Sequence, residues 1–307
     1  MNADSARELL ILSDGKPGHL NQSLAFARLL GYRWQVRPVA FKNRACKALA
    51  YVADRLHLRL PALFHLDGEV PAGCAVVSAG SETYYANKVL SRKLRVPAVA
   101  IMLPRGYRYD FDLIVAQQHD RPPRQSNILA LPVNLSCAEP QGLVTRYGER
   151  PCVGLIVGGP SRHFDMEPER LREQVERVFA LFPEADLLLT TSRRTPAAVE
   201  AFLEQLPFRY AVIYSKEPVN PIPDFLAICD YVFVTEDSTS MISEAVSTGH
   251  ASVEVLPLKA TAARNKVGAM VAALAGRGCL HRFDGSLGDC HRKLDLAAEL
   301  AKVRPCG

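Results

Sequence analysis

Val234-Thr235-Glu236-Asp237-Ser238-Thr239-Ser240-Met241-Ile242-Ser243-Glu244-Ala245 is the stretch on which the reading of the chain turns. It leaves an apolar run, Tyr231 to Val234, with the character of a buried strand, and enters a stretch with helical character. Ser238, Thr239 and Ser240 therefore fall at a strand-to-helix turn. A helix start presents unbonded backbone N–H groups at the positive end of the peptide dipoles, and hydroxyls there add donors. Such a turn accommodates a phosphate or another anion. Glu244 follows Ser240 by one helical turn on a similar face, placed to accept from a sugar hydroxyl. Taken singly, the turn is more often an N-cap serine followed by a solvated glutamate. Three further turns of the same kind elsewhere in the chain give it weight.

On either side of this stretch, strand-like apolar runs alternate with helix-like periodic stretches throughout. The first half carries strands at Leu9–Leu12, Trp34–Val39, Ala75–Ser78, Val99–Leu103, Leu113–Ala116 and Ile128–Leu131, with helices at Leu20–Leu30, Ala45–Leu56 and Ser81–Leu94. The second carries strands at Val153–Val157, Asp186–Thr190, Tyr210–Ile213, Tyr231–Val234 and Ser252–Leu256. Its helices fall at Glu167–Leu181, Pro196–Leu206, Ile222–Ile228, Thr239–Thr248 and Ala262–Ala275. Continuous apolar strands separated by helices specify parallel sheets covered on both faces. The alternation restarts after a polar stretch, Ala138–Arg150. The expected fold class is α/β: two Rossmann-like, doubly wound domains, residues 1–143 and 144–307. A ligand cleft is expected between them, where the strand C-termini face each other.

The first of the other turns is Ser13-Asp14-Gly15-Lys16-Pro17-Gly18-His19-Leu20-Asn21-Gln22-Ser23. Gly15 and Gly18 permit close backbone approach or positive φ. Lys16, Asn21 and Gln22 supply polar groups for an acceptor or a phosphate. The spacing is neither a P-loop nor GxGxxG. His19 is a candidate general base, because imidazole titrates near neutral pH, and Asp14 is the alternative. A locally bonded histidine at a helix start is the ordinary reading. In Val157-Gly158-Gly159-Pro160-Ser161-Arg162-His163-Phe164, the backbone N–H groups of Gly158 and Gly159 are expected to be open to a diphosphate, with Ser161 and Arg162 as oxygen and phosphate partners. In Thr190-Thr191-Ser192-Arg193-Arg194-Thr195-Pro196, adjacent arginines at a helix start are unfavourable unless something anionic is near. Arg193 is expected to face it and Arg194 solvent. Ser78-Ala79-Gly80-Ser81-Glu82-Thr83 reads as ordinary capping, with Ser81 as the cap. Arg105 either pairs with a phosphate or lies in solvent.

The 307 residues are 48% hydrophobic and 22% charged, the profile of a globular protein with full cores. No apolar run reaches the roughly 20 residues that span a bilayer, and the opening MNADSARELL has no basic-then-apolar signal pattern. A cytoplasmic location is the expectation. The eight cysteines show no CxxC pair and no metal-ligand spacing, so neither a disulfide nor a zinc site is expected. Residues 1–150 hold 20 Lys and Arg against 12 Asp and Glu, a net +8, whereas residues 151–307 hold 17 against 20, a net −3. A basic first half suits an acidic or membrane-borne substrate, or is simply a solvated basic face. No nucleic-acid partner is expected.

Taken in order, the segments Asp14-Gly15-Lys16-Pro17-Gly18-His19-Leu20-Asn21-Gln22-Ser23, Val157-Gly158-Gly159-Pro160-Ser161, Thr190-Thr191-Ser192-Arg193-Arg194-Thr195-Pro196, Asn220-Pro221 and the run from Val234 to Gly249 resemble the mitochondrial fission family named for elongated mitochondria in plants. Many of its bacterial members have no mitochondria to divide. The chain departs from the family pattern at Gly249-His250-Ala251, where Gly-Lys-Pro is usual. The resemblance implies a fold like that of the GT-B nucleotide-sugar glycosyltransferases. The second domain is also similar, more distantly, to the transferase that adds N-acetylglucosamine to the lipid-linked peptidoglycan precursor. That likeness implies a ribose-holding role for Glu244 and a base at His19.

Three functions follow. The first is a metal-independent glycosyltransferase using a nucleotide-diphosphate sugar, with no bound cofactor. Gly158, Gly159, Ser161, Arg162, Arg193, Ser238, Ser240 and Glu244 would hold the donor, and a lipid-linked or cell-envelope acceptor would meet His19. The second is a sugar-nucleotide epimerase of the same architecture. The third is a non-catalytic adaptor recruiting a partner to a membrane. Leu49, Val52, Ala53 and Leu56 form one stripe of a basic helix and are expected to pack on the sheet. The following loop, His57–Phe64, places Leu60, Leu63 and Phe64 beside Arg55 and Arg59 without a core role. Weak association with anionic membranes, at the inner face of the cytoplasmic membrane, is expected there.

Overall fold

The structure is a computed structural model, and it describes residues 8–66, 68, 73–137, 139–262, 265–288, 290–303 and 305. Residues 1–7, on which the expectation of no signal pattern partly rests, lie outside the described residues, as do residues 263–264 of the helix expected from Ala262. Two compact units form, residues 1–137 with 295–307 and residues 138–294.

The first unit runs β1 (Glu8–Ser13), α1 (Pro17–Leu29), β2 (Arg33–Phe41), α2 (Arg44–Arg55), β3 (Phe64–Leu66), β4 (Ala75–Ala79), α3 (Tyr84–Leu94), β5 (Ala98–Ile101), β6 (Leu113–Gln117) and β7 (Ile128–Leu131). Its sheet has the order β3-β2-β1-β4-β5-β6-β7. All pairings are parallel except that β3 lies antiparallel on β2. Leu9, Leu10, Ile11 and Leu12 are all buried. Both faces of β1 are therefore covered, at about 1.5–3 kcal/mol of burial for each large side chain.

The second unit runs β8 (Cys152–Ile156), β9 (Phe164–Asp165), α4 (Pro168–Leu181), β10 (Asp186–Thr190), α5 (Ala197–Leu203), β11 (Tyr210–Val212), α6 (Ile222–Ile228), β12 (Tyr231–Thr235), α7 (Thr239–Ser247), β13 (Ser252–Leu256), β14 (Lys259–Ala260), α8 (Lys266–Ala275) and β15 (His281–Arg282). Its sheet has the order β11-β10-β8-β12-β13-β15, all parallel, and β9 and β14 form a separate antiparallel pair. At Gly249 (φ 68°) a Cβ would sit 1.8 Å from the Leu226 carbonyl oxygen, so glycine alone fits there.

In each sheet the strand order reverses next to the first strand. Chain leaves β1 toward β2 on one side, while β4 and its successors build the other side. In the second unit the reversal lies between β8 and β12. At such a reversal the outgoing connections diverge and open a crevice beyond the strand C-termini.

The structure corrects several expectations. The domain boundary falls at 137/138 rather than 143/144, and the chain re-enters the first unit at residue 295. There α9 (Leu296–Ala301) packs on α1 and buries Leu296 and Leu300. A six-residue helix has too little periodicity to reveal which unit it covers. Of the α2 stripe only Ala53 is buried: Leu49, Val52 and Leu56 are 47%, 49% and 63% exposed. Ala50, Ala53 and Asp54 face inward instead. Asp54 decides the orientation, because it accepts from Lys88 Nζ at 2.9 and 3.1 Å and from Arg108 N at 2.8 Å inside the unit. A buried carboxylate without those donors would cost several kcal/mol. The loop after α2 is not free of core duty either, for Leu63 and Phe64 are buried against the core through β3. Cys74 is disulfide-bonded. The other cysteines stand far from it in sequence, so no local spacing shows the bridge.

Candidate functional site

Both reversals carry the polar, glycine-bearing loops of the sequence. In the first unit, β1 ends at Ser13 and the chain turns through Gly15 at φ 77°, where Gly15 N donates to Ser13 Oγ at 3.1 Å. Pro17 takes the first position of α1, where its missing N–H costs nothing. His19 then sits on the first turn of α1, and its Nδ1 lies 2.9 Å from Asp14 Oδ2. The Asp14 side chain is 3% exposed and that of His19 24%. Lys16 Nζ lies 3.3 Å from the same carboxylate, and Lys16 N donates to Asp14 Oδ1 at 3.2 Å. A contact from Nδ1 to a carboxylate fixes the ring and turns Nε2 away from Asp14, the arrangement of an oriented base.

Gly80, just past the end of β4 with φ 91°, completes this corner. A Cβ there would meet His19 Nδ1 at 2.3 Å and Asp14 Oδ2 at 3.3 Å. The loop expected to be ordinary capping is thus the wall against which the Asp14–His19 pair rests. Ser81 is not the cap. Thr83 holds that position, its hydroxyl donating to the Ala79 and Gly80 carbonyls at 3.0 and 2.9 Å. Of the other candidates, Asn21 is exposed, while Gln22 is buried and accepts from Gln117 Nε2 at 3.2 Å. Gln22 therefore belongs to the core beside β6 rather than to the loop surface. Gly18 lies within α1 with open space around it. Arg105 pairs with Asp120 at 3.1 Å.

In the second unit three loops lock together where β8, β10 and β12 end. Asp237, with a fully buried side chain, accepts from Thr235 Oγ1 at 2.7 Å, Gly159 N at 3.1 Å and Arg194 Nη2 at 2.6 Å. Thr235 Oγ1 accepts from Gly158 N at 2.7 Å. Arg194 Nη1 also donates to the Gly159 and Pro160 carbonyls, each at 3.1 Å. Thr195 Oγ1 donates to the Gly158 carbonyl at 2.6 Å. The diglycine amides are consequently engaged within the fold and not open to a diphosphate. The glycines serve loop packing: a Cβ on Gly158 would lie 2.3 Å from Asp237 Oδ1, and one on Gly159 2.0 Å from the Arg194 carbonyl oxygen.

Ser161 and Arg162 lie one step further out. Ser161 N donates to the Phe164 carbonyl at 2.8 Å, and Ser161 Oγ accepts from His163 N at 3.2 Å. Arg162 Nε donates to His163 Nε2 at 3.1 Å. Burial first, then the neighbouring Arg162 and Lys266, hold His163 below the usual imidazole range, so it is neutral and able to accept.

What remains available surrounds the start of α7. Ser238 caps the helix, its Oγ accepting from Met241 N at 3.3 Å. Ser240 is exposed and has no partner among the described residues. Arg193 is likewise exposed and without a partner there, whereas Arg194, expected to face solvent, is the arginine that pairs with Asp237. Glu244 is half-buried, and desolvation alone pushes its carboxyl up to about 7. No donor among the described residues reaches it. Ser240, Glu244 and Arg193 are thus the candidates here whose side chains have no partner among the described residues, while the Ser238 hydroxyl serves the helix cap. Asp237, Thr235 and Arg194 hold the loops of the second unit together, and Gly80 walls the Asp14–His19 corner of the first; none of the four is a candidate in the sequence reading. Asp237 does leave a signal there, as an acidic residue two positions beyond Thr235 at the strand end, a pattern for local side-chain bonding. Among the described residues no group of three or more His, Cys, Asp or Glu side chains is placed to hold a metal ion. No helix among them is long and apolar enough to cross a membrane.

The family model for mitochondrial fission ELM1 matches residues 17–304. No curated protein matches the chain in sequence. Among solved structures, the glycotransferase of kitacinnamycin aligns at 15% identity over 96% of this chain and 90% of its own, with a TM-score of 0.53. A provisional UDP-N-acetylglucosamine 2-epimerase from Listeria monocytogenes aligns at 12% identity over 97% of this chain and 87% of its own, also with a TM-score of 0.53. At such identities these likenesses show a GT-B-like α/β fold and nothing about substrate or activity.

Proposed function

The chain belongs to the mitochondrial fission ELM1 family, and from that premise we propose that it is a metal-independent glycosyltransferase, binding a nucleotide-diphosphate sugar in its second unit and an acceptor hydroxyl in its first. Glu244 carries the reading. A half-buried carboxylate raised to about 7, without a donor among the described residues, is an unfavourable thing to keep in a fold. It stands one turn along a serine-capped helix at the β8/β12 reversal. A ribose diol offers the two hydroxyl donors that such a carboxylate accepts. The start of α7, Ser240 and Arg193 supply positive charge and donors for the diphosphate.

The chemistry follows from the two sets of groups. The acceptor hydroxyl oxygen attacks the anomeric carbon, and its proton passes to His19 Nε2. The bond from that carbon to the diphosphate oxygen breaks, and the nucleoside diphosphate leaves with the electron pair. Asp14 steadies the imidazolium that forms. The growing diphosphate charge meets Arg193 and the α7 dipole, so the reading draws on no metal ion and no bound cofactor.

Thermal melting with nucleoside diphosphates tests the donor half. A ligand present at 100 times its dissociation constant adds about 2.7 kcal/mol of stability. The absence of a shift with every nucleoside diphosphate would sink the reading. A labelled sugar nucleotide, incubated with and without a lipid acceptor, separates transfer from epimerisation.

A second reading has its own observation. Leu49, Val52 and Leu56 project outward from α2, and the following Leu58 and Leu60 are exposed as well. The exposed cations Lys42, Arg44 and Arg55 lie in the same stretch. This surface supports weak, salt-sensitive binding to anionic bilayers, as suits a lipid-linked acceptor or a recruiting adaptor. An adaptor would bind vesicles and leave nucleoside diphosphates alone.

A further inference from the structure

The end of α3 lies at the opposite end of the first sheet from Asp14 and His19. Its last turn carries Arg92 and Lys93, and Arg95 closes it at φ 58°. Arg92, Arg95 and Arg59, with Pro97 and Ala98 at the start of β5, border a cavity of about 530 Å³. It therefore opens beyond the strand N-termini, whereas His19 stands beyond the C-termini.

Two carboxylates share this cavity, but both are engaged. Asp110 pairs with Lys88, with Arg59 at 3.3 Å and with Arg108 at 3.4 Å. Asp112 accepts from Ala98 N at 2.7 Å. Arg92 and Arg95 have no partner among the described residues. Arg59 Nε is buried and has no acceptor. The cavity thus carries unmatched positive charge together with a buried donor in want of an oxygen.

A second cavity of about 500 Å³ shares Arg59 and Arg92 and is walled by Pro61, Phe64, Leu66, Val89 and Leu90. Basic and apolar spaces therefore meet at two common guanidinium groups. Leu58 and Leu60, exposed, flank Arg59 in the chain, so the apolar surface of α2 and its loop leads to this place.

We propose that these two cavities form a binding site for an anionic amphiphile, whose phosphate lies with Arg59, Arg92 and Arg95 and whose single hydrocarbon chain lies against Phe64, Leu66, Val89 and Leu90. Inorganic phosphate alone would forgo the apolar wall, and an uncharged amphiphile would leave the arginines unmatched. The site is separate from the Asp14–His19 corner and does not depend on the donor reading.

Titration calorimetry with dodecyl phosphate below its micellar concentration tests it. One molecule is expected to bind per chain, at least tenfold more tightly than inorganic phosphate or dodecyl maltoside. Arg92→Gln with Arg95→Asn should weaken binding tenfold or more without lowering the melting temperature, since both side chains are exposed and asparagine tolerates the left-handed backbone at position 95. Arg92→Gln alone should weaken it severalfold and guards against a folding defect in the double variant. Replacing Leu49, Val52 and Leu56 with serine should leave dodecyl phosphate affinity unchanged, which separates this site from the vesicle-binding surface. Absence of saturable binding, equal affinity in the arginine variants, or equal affinity for inorganic phosphate or dodecyl maltoside would overturn the proposal.

Discussion

Among single residues, Glu244 makes a prediction that needs no substrate. Desolvation raises its folded pKa to about 7 from 4.5. The folded chain therefore holds a proton at Glu244 that the unfolded chain has already released between those values, and this group's contribution to stability falls as pH rises through 7. Glu244→Gln removes the titration while keeping the shape. Chemical denaturation should show parent and variant nearly alike close to pH 4.5 and the variant about 1–3 kcal/mol more stable at pH 8. Parallel stability curves across that range would show that the carboxyl is not desolvated. The neighbouring arginines separate by their partners. Arg194→Ala leaves the buried Asp237 carboxylate without its cation and should cost roughly 2–3 kcal/mol in denaturation. Arg193→Ala should leave stability unchanged and weaken nucleoside diphosphate binding about tenfold, as loss of a charge-assisted bond does. An equal loss of stability in both variants would contradict the pairing of Arg194 alone with Asp237.

Among the elements, the strand-to-helix turns are legible in the sequence because strand burial and helix periodicity both end there. How the turns meet is not legible. Gly158 and Gly159 look like open amides when read along the chain. Across the sheet they are the only residues small enough to let Asp237 and the Arg194 carbonyl approach. Gly80 shows the same limit, since the side chain it accommodates, His19, is remote in sequence. Gly31 offers an internal control, with φ 71° and nothing within 4 Å of where a Cβ would stand. Gly31→Ala should cost only the backbone strain, about 1 kcal/mol. Gly80→Ala must in addition displace His19 and should lower stability by roughly a further 1–2 kcal/mol, read by thermal melting. Equal costs would mean that His19 is loosely held and would weaken its claim to be an oriented base.

For the molecule entire, the alternation of apolar runs and helices is enough to specify two parallel sheets, because a strand buried on both faces leaves no polar alternation. The short strands β3, β9, β14 and β15 are not legible, since two or three residues carry no period. The outward face of α2 runs against its sequence pattern. Its apolar stripe satisfies helical spacing, while Asp54, which fixes the inward face, has its partners Lys88 and Arg108 far along the chain. Leu49, Val52 and Leu56 consequently give the molecule an apolar surface among cations. Sedimentation with anionic vesicles at low salt should retain the parent, and replacing these three residues with serine should release it to the supernatant. Unchanged sedimentation would remove this surface from any membrane role.

Whether the reversal between β8 and β12 holds a nucleoside diphosphate through Glu244 is decided by titration calorimetry of UDP against the parent and Glu244→Ala. Saturable one-to-one binding by the parent is expected, with a loss of roughly 1.5–3 kcal/mol, about ten- to a hundredfold in affinity, in the variant. Binding of UDP with the same affinity by both proteins would contradict this role for Glu244.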